Sequence, residues 1–281
     1  ASFLLLPTPT PSQARAAADM SRTCMTCQRI PIAGSQPLWV HSVSSAATSF
    51  KSTTGTSTVM GGATSTELAT AKPQGSNHPS NHVLNVALQR DVLTGVYEGG
   101  FKVWECTLDL IQYMRAAQNS LHITGRSVLE AGCGLGLPSV CALQQGASSV
   151  FLQDLNREVL ETGTLATVSL NVTVDTQFDT WFGKTSASSH PVASFIAGDW
   201  DDLIDASQTG AFLATAPDPG RVDIILTAET IYAQPQIEKL ARLIHRMLRR
   251  QQCGGIGEGD DAAEERTNRN VPFALVAAKR Y

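Results

Sequence analysis

The sequence predicts an α/β protein built on a parallel sheet with helices on both faces. From residue 122 onward, strand-like runs alternate with helix-like segments, and the runs are continuously apolar, as buried parallel strands are. Each run also stops at a glycine or polar cluster, and such sheets bind ligands beyond the carboxyl ends of their strands. The 281 residues are 42% apolar and 16% charged with a formal net charge of −4, ample for one large core. No uninterrupted apolar run reaches the ~18 residues of a membrane span. Nor is the charge basic enough for a nucleic-acid binder held by phosphate contacts.

The elements follow in order. Residues 1–80 hold 37 Ser, Thr, Gly and Pro but only two acids, Asp19 and Glu67. They carry +3 and leave −7 on the remainder. Such a stretch buries too little apolar surface to offset ordering entropy. The sequence therefore predicts a low-complexity, disordered leader over 1–85 and one ordinary domain over 86–281. The opening is acid-poor up to Asp19 and loosely transit-peptide-like, which leaves an organelle open, though an unstructured tail is the plainer reading. Its four-residue apolar run falls short of a secretory segment, which needs ~7–15 residues. Cys24-Met25-Thr26-Cys27 lacks a second ligand pair, so no metal site is predicted, and the six cysteines are expected as reduced thiols.

Ser127–Glu130 reads as the first strand, running into Gly132-Cys133-Gly134-Leu135-Gly136. Leu137, Val140, Cys141 and Leu143 follow at helical spacing until Gly146 ends the helix. Val150–Leu152 is a second strand, and residues 156–170 a helix with Val159, Leu160 and Leu165 inward. Ser194–Ala197 and Val222–Leu226 are the third and fourth strands. Ile237, Leu240, Ala241, Ile244, Met247 and Leu248 form one stripe of an amphipathic helix. Pro272–Ala277 is the fifth strand, and residues 174–192 and 251–270 read as loops, the second a flexible insertion.

The strand ends carry the chemistry. Glycines at 132, 134 and 136 let the backbone pass close beneath a nucleoside. A lone turn of this kind also serves nicotinamide cofactors or plain tight turns. Here Glu130 precedes the turn and would repel phosphates, whereas a cationic, phosphate-free cofactor suits it. Asp154 follows Gly132 by 22 residues, near the usual interval of ~20 for a carboxylate on ribose hydroxyls; a strand-end cap is its bland alternative. Asp199 is placed to accept from an adenine amino group and Trp200 to cover the ring, against the alternative of a core Trp beside a solvated Asp. Together the three ends predict an S-adenosylmethionine site on a Rossmann-like sheet.

These residues resemble the protein-histidine N-methyltransferases, seven-stranded enzymes of the protein lysine and histidine methyltransferase group. The resemblance runs through Gly95–Thr107, Leu129–Leu137, Phe151–Asn156, Gly198–Trp200 and Ile225–Tyr232, about 190 residues from near Asp91 to Tyr281. It implies a cofactor lined by Val103, Trp104, Glu105, Cys106 and Thr107, by Gly132 and Gly134, and by Gln153, Asp154 and Leu155. Gly198, Asp199, Trp200 and the Thr227/Ala228 position complete that lining. Ala228 stands where relatives often carry Ser, and the chain stops at Tyr281 where the family continues into closing strands, so a shortened sequence is expected. The resemblance further implies a protein substrate, first of all a large-subunit ribosomal protein. It also implies a monomer in cytoplasm or nucleus, with no membrane and nucleic acid met only indirectly.

Methyl transfer from a sulfonium is an in-line displacement, so the protein's task is alignment in a dry site. A neutral imidazole is nucleophilic near pH 7, its unperturbed pKa being ~6.5. Glu229, at the fourth strand end, is the candidate for orienting the acceptor or taking its proton, with Tyr232 as a wall or hydrogen-bonding partner. Capping and packing are their bland alternatives. Two other readings share these residues: a lysine methyltransferase of the same group, and a non-catalytic binding module.

Overall fold

The computed structural model describes residues 4–5, 10–16, 27–30, 38–41, 83, 86–87, 89–171, 192–209, 222–248 and 271–279. The five predicted strands are present: β4 (Ser127–Ala131), β5 (Ser149–Asp154), β6 (Ala193–Ala197), β7 (Ile224–Ala228) and β8 (Phe273–Ala277). Three more precede them: β1 (Leu4–Leu5), β2 (Cys27–Ile30) and β3 (Leu38–His41). The main sheet has the order β1-β6-β5-β4-β7-β8, with β4 through β8 parallel. Central β4 therefore has β5 on one side and β7 on the other, the reversal point where ligands of such sheets bind.

Strand residues alternate between two cores. Val128, Val150, Phe195, Ile224 and Leu226 face one side, while Leu129, Ile196 and Ile225 face the other. Helices α1 (Glu105–Ala116), α2 (Leu137–Gln144) and α3 (Leu165–Leu170) cover the first face through Ile111, Leu143 and Val168. Helices α4 (Trp200–Thr209) and α5 (Gln234–Met247) cover the second through Leu203, Leu240 and Leu243. The result is the three-layer α/β sandwich expected from apolar strands between helices.

Three details differ from the sequence reading. The segment 156–170 is not one α-helix: Val159–Thr164 is a π-helical turn ahead of α3, and Thr164 donates its hydroxyl hydrogen to the Gly134 carbonyl at 2.5 Å. Widening the helix by one residue per turn brings that hydroxyl onto the glycine turn. On α5, Leu243 is fully buried while Ile237 is 41% exposed. The buried stripe is thus turned from the predicted one, following Leu240, Leu243 and Met247.

The third difference is in the leader, most of which lies outside the described residues. Leu4 and Leu5 pair antiparallel with Ala197 and Ile196 of β6. Strands β2 and β3 pair with each other, β3 packs against α3, and Leu38 is fully buried. An 80-residue composition hides short apolar runs such as Leu4-Leu5 and Leu38-Trp39-Val40, and such runs order where an edge or helix receives them. The two predicted loops lie outside the described residues except for Val192. No described helix is long and apolar enough to cross a membrane.

Residues 91–104 run over the carboxyl ends of the strands. Asn156 Nδ2 donates to the Val96 carbonyl at 2.7 Å, and the buried Tyr97 hydroxyl accepts the Phe101 N–H at 3.0 Å. Trp104 Nε1 donates to the Gly99 carbonyl at 3.1 Å. These bonds make the segment the roof of a cleft.

Candidate active site

The cleft encloses about 250 Å³ between that roof and the ends of β4, β5, β6 and β7. Thirteen of the residues expected there line it: Val103, Trp104, Thr107, Glu130, Gly132, Gly134, Gln153, Asp154, Leu155, Gly198, Asp199, Trp200 and Ala228. Glu229 and Tyr232 line it too. Glu105, Cys106 and Thr227 do not. Trp104 and Thr107 share one side of the start of α1, and Glu105 turns outward to meet Lys279 at 2.8 Å. Cys106 is buried. Thr227 points away from the Ala228 side of β7 and donates to the Ala131 carbonyl at 2.9 Å, or shares a hydrogen with Thr230 Oγ1 at 2.6 Å. A resemblance carries whole segments across; helical and strand periodicity then picks the residues that face the cavity.

The turn after β4 needs its glycines. Gly132 has φ 64° and a Cβ there would lie 2.8 Å from Thr230 Cγ2; at Gly134, φ 50°, a Cβ would lie 3.0 Å from the Gly100 carbonyl oxygen. Gln153 ties this turn to its neighbours. Its Oε1 accepts the Gly132 N–H at 3.0 Å and the Trp200 indole N–H at 2.7 Å, and its Nε2 donates to the Gly198 carbonyl at 2.7 Å. One buried amide thus joins three strand ends.

The acids differ in what holds them. Glu130 lines the cleft, and its Oε2 accepts the Ser139 N–H at 2.8 Å, in the first turn of α2. Burial pushes its carboxyl up to about 8, with the Ser139 hydrogen bonds pulling down and Asp154 pushing up. Asp154 accepts from the Gly134 N–H at 2.9 Å and the Asn156 N–H at 3.0 Å. Burial still raises its pKa to about 6, against those two N–H groups. Burial also disfavours charge on Asp199, yet the Lys239 ammonium and the Asp201 N–H hold it below the usual carboxylate range. Lys239 reaches both Asp199 oxygens at 2.9 Å.

The end of β7 is built differently. Glu229 has φ 58°, the left-handed region that costs a non-glycine residue about 1 kcal/mol or more. Its N–H is held by the Ala277 carbonyl at 2.8 Å. Its Oε1 is buried without a hydrogen-bond partner. The Cys106 thiol faces this carboxylate; burial first, and Glu229 next, push that thiol up to about 11. Tyr232 donates its hydroxyl hydrogen to Glu98 Oε2. Burial and the Glu98 carboxylate push the phenol far above its ordinary value.

Several lining residues escaped the sequence reading as site residues, among them Glu98, Gly100, Lys102 and Lys239. Glu98 and Gly100 belong to the segment that carried the resemblance, so a signal existed. Lys239 arrives from α5, 40 residues from its partner Asp199, and nothing local marks it. In all, the lining holds five carboxyl groups (Glu98, Glu130, Asp154, Asp199, Glu229), of which Glu130, raised to about 8, is mostly neutral at pH 7, and two cations (Lys102, Lys239). Lys102 pairs with Asp91 at 2.6 Å and lies over the Trp104 ring at 4.5 Å. Such a cleft favours a cationic guest and disfavours phosphates. Among the described residues, no cluster of His, Cys, Asp or Glu is arranged for a metal ion.

No protein-family model matches the chain. Among curated proteins, it is 31% identical over 182 residues to the histidine protein methyltransferase 1 homolog of Bos taurus, covering 61% of this chain and 47% of that protein. The Dictyostelium discoideum homolog is 35% identical over 158 residues, covering 56% of this chain and 42% of its own length. The chain thus spans about half the length of the curated relatives it matches. Among solved structures, Arabidopsis thaliana protein arginine methyltransferase 10 shares 18% identity at a TM-score of 0.34, over 51% of this chain and 33% of that one. The curated proteins that this chain resembles, in several species, are histidine protein methyltransferase 1 homologues.

Proposed function

We propose that this chain binds S-adenosylmethionine and transfers its methyl group to a histidine side chain of a protein. The observation that carries this reading is Glu229: a strained residue at the end of β7, on the wall of an acidic cleft, with a buried carboxylate oxygen and no partner for it. Strain and an orphaned polar atom both cost stability and mark functional positions. The residues present fit the cofactor, because the acids favour its two positive groups and the glycine turn leaves no Cβ over the strand ends. When bound, S-adenosylmethionine supplies an electrophilic methyl group on a sulfonium.

The chain's own residues then bind, orient and exclude water. Asp154 keeps lone pairs for ribose hydroxyls beyond the two N–H groups it already accepts. Trp200, fixed by its bond to Gln153, forms a wall. Glu229 Oε1 accepts the N–H of the incoming imidazole, which selects the tautomer whose other nitrogen carries the free lone pair. Similarity to the histidine protein methyltransferase 1 homologues supports histidine over lysine as acceptor. A large-subunit ribosomal protein is the first substrate to try, and cytoplasm or nucleus the first compartment.

The test is amino-acid analysis after transfer from methyl-labelled S-adenosylmethionine to ribosomal proteins. Methylhistidine is the expected product. Methyl-lysine without methylhistidine would sink the histidine reading, and no binding heat for the cofactor with folded protein would sink the enzymatic one.

A further inference from the structure

Glu98 adds to the acidic lining of the cleft, and it also bonds to one of the two candidate catalytic residues. Tyr232 donates to Glu98 Oε2, a link between residues 134 apart in sequence. It joins the segment before α1 to the segment after β7. The other Glu98 oxygen, Oε1, accepts the Gly95 N–H at 2.6 Å, so the carboxylate is held from both ends.

We propose that Glu98 is a positioning residue that fixes the polarity of the Tyr232 hydroxyl, leaving the phenol oxygen as an acceptor at the mouth of the cleft. The proposal rests on the histidine reading above. A hydroxyl has one hydrogen and two lone pairs, and an ionised carboxylate can only accept. With its hydrogen committed to Glu98, Tyr232 offers an incoming side chain lone pairs and nothing else. Tyr232 is 40% exposed, so an acceptor side chain entering from solvent meets this oxygen at the rim. A neutral imidazole has one N–H to give and one lone pair that must stay free for attack. Glu229 Oε1 takes the first, and an acceptor-only oxygen at the rim leaves the second untouched, whereas a donor at the same place would compete for the attacking lone pair. The phenol's raised pKa keeps the hydroxyl protonated and the pairing intact across the neutral range.

The experiment compares wild type, E98A, E98Q, Y232F and E98A/Y232F by acceptor kcat/KM and the ratio of the two ring-nitrogen isomers of methylhistidine. The expected result for E98A, at saturating cofactor, is an acceptor kcat/KM lowered about tenfold, the weight of one misdirected hydrogen bond, and a mixed isomer ratio. E98Q, with one oxygen for two donors, the Gly95 N–H and the Tyr232 hydroxyl, falls between wild type and E98A in isomer ratio. The double variant is no worse than Y232F alone. Wild-type kcat/KM and a single isomer in E98A would overturn the proposal, as would additive losses in the double variant. Wild type that forms no methylhistidine instead removes the histidine reading itself, which keeps the two failures apart.

Discussion

On the β5 side of the cleft, polar side chains serve the protein's own backbone: Gln153 joins three strand ends, and Asp154 and Glu130 each hold backbone N–H groups. On the β7 side, Glu229 sits in a strained conformation with an oxygen that nothing satisfies. Both sides lie at the carboxyl ends of one sheet, so topology does not separate them. The difference lies in whether a side chain's hydrogen-bonding capacity is used within the fold. A frame that must hold its shape uses it; a group kept for an outside partner does not. Mutations on the two sides should therefore damage opposite properties.

The largest effect is expected at Glu229. Glu229→Ala should slow methyl transfer, measured at saturating cofactor, by about 10²–10³-fold, the range for losing a positioned acid–base group. Glu229→Gly should lose transfer equally yet gain about 1 kcal/mol in urea unfolding, because glycine adopts positive φ without strain. A loss of stability in the glycine variant would end the claim that strain is stored there. Next comes Gln153→Leu, the mirror case. It strips partners from the Gly132 N–H, the Trp200 indole and the Gly198 carbonyl, and should cost about 3 kcal/mol of stability. Unchanged urea midpoints would place the frame elsewhere.

The smallest effect sharpens the frame side through pH. The Glu130 carboxyl is raised from 4.5 to about 8, so between those values the folded chain holds a proton that the unfolded chain has released. Stability from this group is full below pH 4.5 and is lost as pH rises toward 8. Asp154 follows the same direction only up to about 6. Between pH 6 and 8 the slope should therefore belong to Glu130 and approach 1.4 kcal/mol per pH unit at most. Thermal unfolding of Glu130→Gln should lack it.

The five parallel strands and the glycine turn were legible because each depends on local periodicity that short windows contain. So were Asp154, Asp199 and Glu229, which stand where apolar runs stop. The faces of individual segments were less legible. Glu105, Cys106 and Thr227 belong to the right stretches but turn away from the cavity, which only helix phase and strand alternation settle. The Lys239–Asp199 and Glu98–Tyr232 contacts were beyond reach, since their partners meet across 40 and 134 residues. Leu4 and Leu5 were hidden by an average: a polar stretch can still pair two residues with the end of a strand.

That edge has a consequence for how copies of the chain behave toward one another. Without Leu4 and Leu5, strand β6 would present a row of open N–H and C=O groups, a template on which any extended segment can add. Polymerisation through such edges needs no unfolding, only an uncovered strand. By pairing with Ala197 and Ile196, the two leucines cover the carboxyl end of β6 with an edge only two residues long, a poor template for further strands.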